Sequence, residues 1–162
     1  MARVILIGVP KVGNNLMRHV LGLDGVGVIK HLPELLSRST EDSMWSHVSY
    51  TPVAEEVIRS QGKKIIYLTR NLDDTIDANF RWKKRLNENK TIEWCGDWII
   101  GKLLYMWQWK LHADLVLRYE DLIAKPRESA LLLADLLGDT EDVIYKRLLH
   151  RGGMTWSGER PV

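Results

Sequence analysis

The segment Arg3–Val9 (RVILIGV) is a β-branched run that stops at Pro10-Lys11-Val12-Gly13, after which Leu16, Val20 and Leu23 recur at helical spacing. A short apolar run of this kind reads as a strand buried on both faces, and the glycine loop leads from it straight into a helix. Half of a βαβ unit is thereby set down. A strand buried on both faces needs parallel neighbours and covering helices, so the rest of the chain is constrained to supply them. The helix is expected over Asn14 to about Leu23, and Gly25–Ile29 reads as a second strand.

The later segments fit that frame. Thr51-Pro52 is an N-cap and first-turn pair, followed by an apolar stripe of Val53, Val57 and Ile58 that ends at Gly62. Lys64–Thr69 (KIIYLT) is the clearest strand, and Asp73 and Asp74 suit the positive end of a helix running from about Leu72 to Arg85. Asn87 to Lys90 reads as a loop, Trp94 to Leu111 as mostly helical and Ala113–Arg118 as a further buried strand. A helix from Pro126 or Arg127 to Leu137 stops at Gly138, and Thr140 is expected to cap a last helix to about His150. Strands alternating with helices give an α/β fold of three layers, with a mostly parallel central sheet flanked by helices. At 162 residues and 45% hydrophobic content, the chain suits one domain over 1–162, not two.

Several classes are disfavoured. Val4–Val9 is too short for a leader or a span, and Trp98–Trp109 is interrupted by Lys102 and Gln108, so no membrane span is expected. Cys95 is the only cysteine, which excludes an intramolecular disulfide framework and a Cys-based zinc cluster; a reducing compartment, with cytoplasm as the default, follows. A net charge of +2 attracts anions only if the cations gather in a cleft. Trp94, Trp98 and Trp109 read as core or core-edge residues, so no nucleic-acid partner is expected. Arg81, Lys83, Lys84 and Arg85 around Trp82 read as a solvated helix end, with attraction of an anionic acceptor as the alternative. Glu120 and Asp121 read as loop or capping carboxylates.

The segment Gly8–Asn15 lies after a strand and at a helix N-terminus, where open α/β sheets bind ligands. Backbone N–H groups around Gly13 can form a nest for a phosphoryl group, with the Lys11 charge beside it. A plain β–α turn carrying a solvated lysine accounts for the segment equally well. It resembles a Walker A loop but lacks that motif's chemistry, because Asn14-Asn15 stand where a metal-binding hydroxyl belongs. No metal site is expected, and an atypical P-loop phosphotransferase is kept only as an alternative.

Four segments together resemble the sulfotransferase family. Pro10-Lys11-Val12-Gly13-Asn14-Asn15 looks like its PKSGTT loop; KIIYLTRNLDD (Lys64–Asp74) is similar to its strand followed by R-D-P-R-D. LRYEDLIAKP (Leu117–Pro126) is very like R-Y-E-D-L-x-x-x-P, and HRGGMTWSGE (His150–Glu159) resembles the terminal R-K-G-x-x-G-D-W. The matches run from residue 10 to residue 159. The resemblance implies a P-loop-like sulfotransferase architecture and transfer of a sulfuryl group from 3′-phosphoadenosine-5′-phosphosulfate (PAPS, leaving PAP) to a hydroxyl or amine on a small-molecule or glycan acceptor, with no metal required.

The resemblance also implies roles. Lys11 would assist the leaving phosphate, and Pro10, Lys11, Val12, Gly13, Asn14, Asn15 and Leu16 would line the 5′ end of the donor. Arg70, the position of Ala78, and Arg151, Gly152 and Gly153 would hold its 3′-phosphate, with Tyr119 against adenine. His47, in a stretch similar to H-[LV]-P-Y, is the expected base by its spacing to Arg70; His31, in Lys30-His31-Leu32-Pro33, is its rival. His19, His112 and His150 have no such context. The pattern departs at Asn14 and Asn15, which replace hydroxyl residues, at Ala78, which replaces a serine, at Gly152, which replaces a lysine, and at Leu16, which replaces a stacking aromatic. Asn79 is the one nearby substitute for that serine. A catalytically weakened or inactive PAP-binding module is therefore the second reading, and the compact chain suggests a donor-binding core with a short acceptor side.

Overall fold

The computed structural model describes residues 3–150. In chain order the elements are β1 (Val4–Gly8), α1 (Asn14–Val20), α2 (Leu32–Ser37), β2 (Ser43–Ser46), α3 (Pro52–Ser60), β3 (Lys64–Thr69), α4 (Leu72–Arg85), α5 (Ile92–Met106), α6 (Trp109–His112), β4 (Leu115–Arg118), α7 (Tyr119–Ala124), α8 (Pro126–Leu137) and α9 (Glu141–Leu149). The four strands form one sheet in the order β2-β1-β3-β4. Every pairing is parallel, and the register sets Ile7 beside Ser46, Gly8 beside Leu68 and Thr69 beside Arg118.

Val4, Ile5, Leu6 and Ile7 are fully buried, as the apolar run predicts for a central strand. Each such side chain stabilises the fold by about 1.5–3 kcal/mol relative to exposure. α9 packs on both α8 and α1, with α1 also against β1 and α8 against β4; α3 and α6 pack against β3, with α2 on α3. The sheet between these two groups completes the three-layer α/β arrangement. α4 and α5 stand apart as a pair packed chiefly on each other, joined by the loop at 87–90, where Asn87 takes a left-handed φ of 55°. Among the described residues, no helix is long and apolar enough to cross a membrane.

The bounds of β3 and α4 coincide with the sequence expectation, and Asn71 caps α4 by accepting from the Asp74 N–H at 3.2 Å. Other expectations need correction. Gly25–Ile29 is not a strand: Gly25 adopts φ 81° and only Ile29 makes a β-bridge, to Ser46. The strand neighbour of β1 is instead β2, whose four residues, SMWS, carry too little apolar content to stand out locally. The first helix stops at Val20, the helical stretch around 94–111 breaks between α5 and α6, and the Thr140 side chain makes no capping bond to α9. The tryptophans divide: Trp109 is fully buried, whereas Trp94 is 37% exposed and stacks on Trp98 with ring centroids 6.4 Å apart.

Trp109 also fixes the segment after β2. Its indole Nε1–H donates to the Val48 carbonyl at 2.9 Å inside the core, and its ring meets Tyr50 edge-on at 5.0 Å. Replacing Trp109 by Phe keeps most of the apolar volume but strands that buried carbonyl. The expected cost is about 1–3 kcal/mol in urea unfolding at neutral pH; an unchanged midpoint would show that the bond does not hold this segment.

Candidate functional site

Because all four strands are parallel, their carboxyl ends lie along one edge of the sheet, and each runs into a residue singled out by the sequence. β1 enters the loop Val9–Gly13, β2 is followed by His47, β3 by Arg70, and β4 by Tyr119. Parallel pairing thus gathers side chains that are up to 108 positions apart in the chain. Ligands of open α/β sheets bind at this edge.

The four positions are tied to one another. His47 Nδ1 lies 2.5 Å from the Gly8 carbonyl. A carbonyl only accepts, so the proton sits on Nδ1 and the Nε2 lone pair is left to take a proton. Arg70 donates to the Lys11 carbonyl at 3.2 Å, and its guanidinium lies 4.4 Å from the centre of the Tyr119 ring. Gly13 adopts φ 101°, and a Cβ there would come within 2.4 Å of that same ring. Glycine is thus required twice at this turn, for its conformation and for the room it leaves Tyr119. Among the described residues, Lys11 is one of two non-glycine residues with positive φ, at 71°. A strained backbone of this kind persists only where its surroundings hold it, here the bond from Arg70.

The model of the Sulfotransferase domain family matches residues 2–151. The chain belongs to the sulfotransferase family. Its fold is similar to mouse sulfotransferase SULT7A1 complexed with PAP, at 17% identity and TM-score 0.63, the match covering 91% of this chain and 63% of that one. It is similar also to retinol dehydratase in complex with androsterone and inactive cofactor PAP, at 14% identity and TM-score 0.62 over 91% of this chain and 63% of that one. The sulfotransferase domain from the curacin biosynthetic pathway matches at 16% identity and TM-score 0.56, over 96% of this chain and 80% of that domain. At such identities the likeness is one of fold. The chain spans 63% of the length of the first two, and no curated protein sequence matches it.

Within this sulfotransferase fold the expected residues fall into groups. Lys11, Gly13, His47, Arg70 and Tyr119 come together as described. Val12 and Leu16 are 2% and 4% exposed and belong to the hydrophobic core. Pro10 is half-buried and Asn15 exposed. Asn14 is buried, and its amide donates to the Val9 carbonyl at 2.8 Å, so one of its N–H donors closes the loop on itself. Ala78 is buried on α4, and Asn79, expected as a substitute donor, is fully buried beside Cys95 of α5. His31 is exposed at the start of α2, where its carbonyl accepts from Leu35. His19 pairs with Asp24 at 2.9 Å and His112 with Glu55 at 2.8 Å. Arg151, Gly152 and Gly153 lie outside the described residues. Glu120 accepts from the Asn71 N–H at 2.6 Å, the loop role read from the sequence. Among the described residues, no group of three or more His, Cys, Asp and Glu side chains is placed to hold a metal ion.

One contact had no sequence signal. Lys11 Nζ lies 3.9 Å from the centre of the Trp82 ring, three turns along α4 from Arg70. The basic cluster of α4 is therefore not simply a solvated helix end: Trp82 carries the loop lysine, and Arg85 and Lys83 act on it. Burial foremost, then those two cations, lowers the Lys11 pKa to about 8. No local pattern announces a contact between residues 11 and 82.

Burial also pushes the His47 imidazole down to about 4, against the opposing pull of the Gly8 carbonyl; Lys102, Lys30 and Lys11 push it further down. The folded state thus holds a neutral imidazole while the unfolded chain protonates near 6.5. Above that value both states are neutral and the stability is fully present; as pH falls from 6.5 towards 4 only the unfolded state binds the proton, and stability is lost. The loss is on the order of 3 kcal/mol. His47→Gln should flatten this part of the stability curve, read by urea unfolding at about pH 4.5 and pH 7. Equal slopes in both proteins would refute a buried neutral imidazole.

Proposed function

We propose that the chain transfers a sulfuryl group from PAPS to a hydroxyl or amine of a small-molecule or glycan acceptor. The observation that carries this reading is the bond between His47 and the Gly8 carbonyl, which ties a neutral imidazole to the strand end that opens the Lys11 loop. A base and a cationic anion-binding loop are thereby held as one unit. Two of the similar solved structures are complexes with PAP, which supports the same donor here.

The residues fit such a polyanion. The loop Val9–Gly13 and the Lys11 ammonium suit the 5′ end, and Arg70, whose Nε is buried with no partner among the described residues, suits the 3′-phosphate through its forked donors. Tyr119, seated against Gly13 and Arg70, offers a ring to the base. The donor supplies the sulfuryl group: the acceptor oxygen or nitrogen bonds to sulfur as the bridging S–O bond breaks, and the 5′-phosphate keeps the electron pair. The acceptor proton passes to His47 Nε2. An imidazole near 4 is a weak base, and two effects favour it. Phosphate charge beside Lys11 offsets one of the cations that hold it down, and the same positive field lowers the pKa of the acceptor hydroxyl. Lys11 stabilises the charge that develops on the leaving phosphate.

A non-transferring PAP-binding module is the second reading, favoured by the Asn14 donor turned onto Val9 and by the apolar Ala78 in place of a hydroxyl. Adenosine 3′,5′-bisphosphate should raise the melting temperature, and Lys11→Met should remove the shift; no shift at millimolar ligand would sink both readings. Calorimetry near pH 8.5, in buffers of different ionisation enthalpy, should show proton uptake on binding, because a bound phosphate raises Lys11 from about 8. The two readings part over radiolabelled sulfate transfer to an acceptor panel. His47→Gln should keep the melting shift and lower turnover by about 100-fold or more, whereas a wild-type protein that binds the nucleotide and forms no product supports the module.

A further inference from the structure

Besides Lys11, two cations act on the His47 ring, Lys102 and Lys30. Lys30 follows Ile29, whose carbonyl accepts the His47 N–H at 2.8 Å and which bridges Ser46 at the end of β2. Lys102 lies one turn before Tyr105 on α5, and the Tyr105 carbonyl accepts the Tyr50 N–H at 2.9 Å, three residues after His47. The backbone on either side of the base is thus pinned to a segment bearing a lysine. Both lysines are exposed, and neither forms an ion pair among the described residues. Lys102 Nζ lies 5.7 Å from the centre of the Trp98 ring, and Leu104 and Tyr105 beyond it are 66% and 68% exposed. Lys102 thus lies beside an aromatic ring.

We infer that the acceptor is an anion, carrying a carboxylate, sulfate or phosphate ester beside its reacting hydroxyl, and that Lys30 and Lys102 recognise that charge. The inference rests on the sulfuryl-transfer reading and names the acceptor class for the same site. Lys11 and Arg70 are engaged at the donor loop, Lys83 is paired with Glu88 at 2.8 Å, and the charges acting on the His47 ring from Lys102, Lys30 and Lys11 are all of one sign. An uncharged alcohol gains little from two such cations. An anionic acceptor gains orientation and on-rate, since complementary charge steers the encounter and fixes register. The Trp98 ring beside Lys102 favours an acceptor whose anion is attached to an aromatic or aliphatic body.

The test uses the full chain and a matched pair of phenols, 4-hydroxyphenylacetate and the nearly isosteric 4-hydroxyphenylacetamide. Their dissociation constants are measured by ligand-detected NMR, with and without saturating adenosine 3′,5′-bisphosphate. The carboxylate is expected to bind about tenfold more tightly than the amide at low salt, with the preference shrinking as salt rises. Lys30→Met with Lys102→Met should abolish the preference while the nucleotide-induced melting shift, the control for folding, persists. Equal binding of the two phenols, a preference that survives in the double variant, or no binding of either at millimolar concentration would overturn the inference. Failure of the nucleotide to bind would instead strike at the sulfuryl-transfer reading, since the phenol comparison is also read without nucleotide.

Discussion

Parallel pairing of β1 with strands on both sides is the constraint on which the rest depends. Because β2, β1, β3 and β4 run the same way, the residues after Ser46, Gly8, Thr69 and Arg118 emerge side by side. No side chain of the site has to reach across the fold. The hydrophobic energy of the central strands is converted into placement: the burial of Val4–Ile7 that makes β1 stable also fixes where Gly8 ends and where Lys11 begins.

Charge is the second organising element. Lys11 and Arg70 bring positive charge to the sheet edge, while burial first, and then Lys102, Lys30 and Lys11, make His47 hard to protonate. The imidazole is thus held neutral, and its tautomer is fixed through the Gly8 carbonyl, which leaves the Nε2 lone pair free. Positive charge near an imidazole weakens it as a base, and the same charge would acidify any hydroxyl placed beside it. Both groups move together, and the proton transfer between them is less affected than either pKa alone.

The sequence carried most of the fold where local signals were strong. Lys64–Thr69 is apolar and β-branched and is followed by Asn71 with two acidic residues, so β3 and α4 could be bounded from pattern alone. β2 could not: SMWS alternates burial along the strand but is half serine, so no apolar run marks it. The site was legible to the extent that its residues follow strands in sequence, which holds for Lys11, His47, Arg70 and Tyr119. Contacts made between distant elements had no such trace. Trp82 over Lys11 and the turning of Asn79 toward Cys95 depend on how α4 lies against α5, which no window of sequence records. The family pattern around Asn14 concealed a further fact, that its amide closes the loop instead of facing outward.

The order of the strands also distributes mechanical security unevenly. Lys11 and Arg70 follow the two central strands, whereas His47 follows β2, a four-residue strand at the margin of the sheet, braced by the bond from Trp45 Nε1 to the Val26 carbonyl at 2.7 Å and by Trp109 on Val48. Local opening begins where pairing is shortest. Amide exchange would therefore reach the segments bearing His47 and Tyr119, which follow the two four-residue edge strands, before it reaches the Lys11 loop.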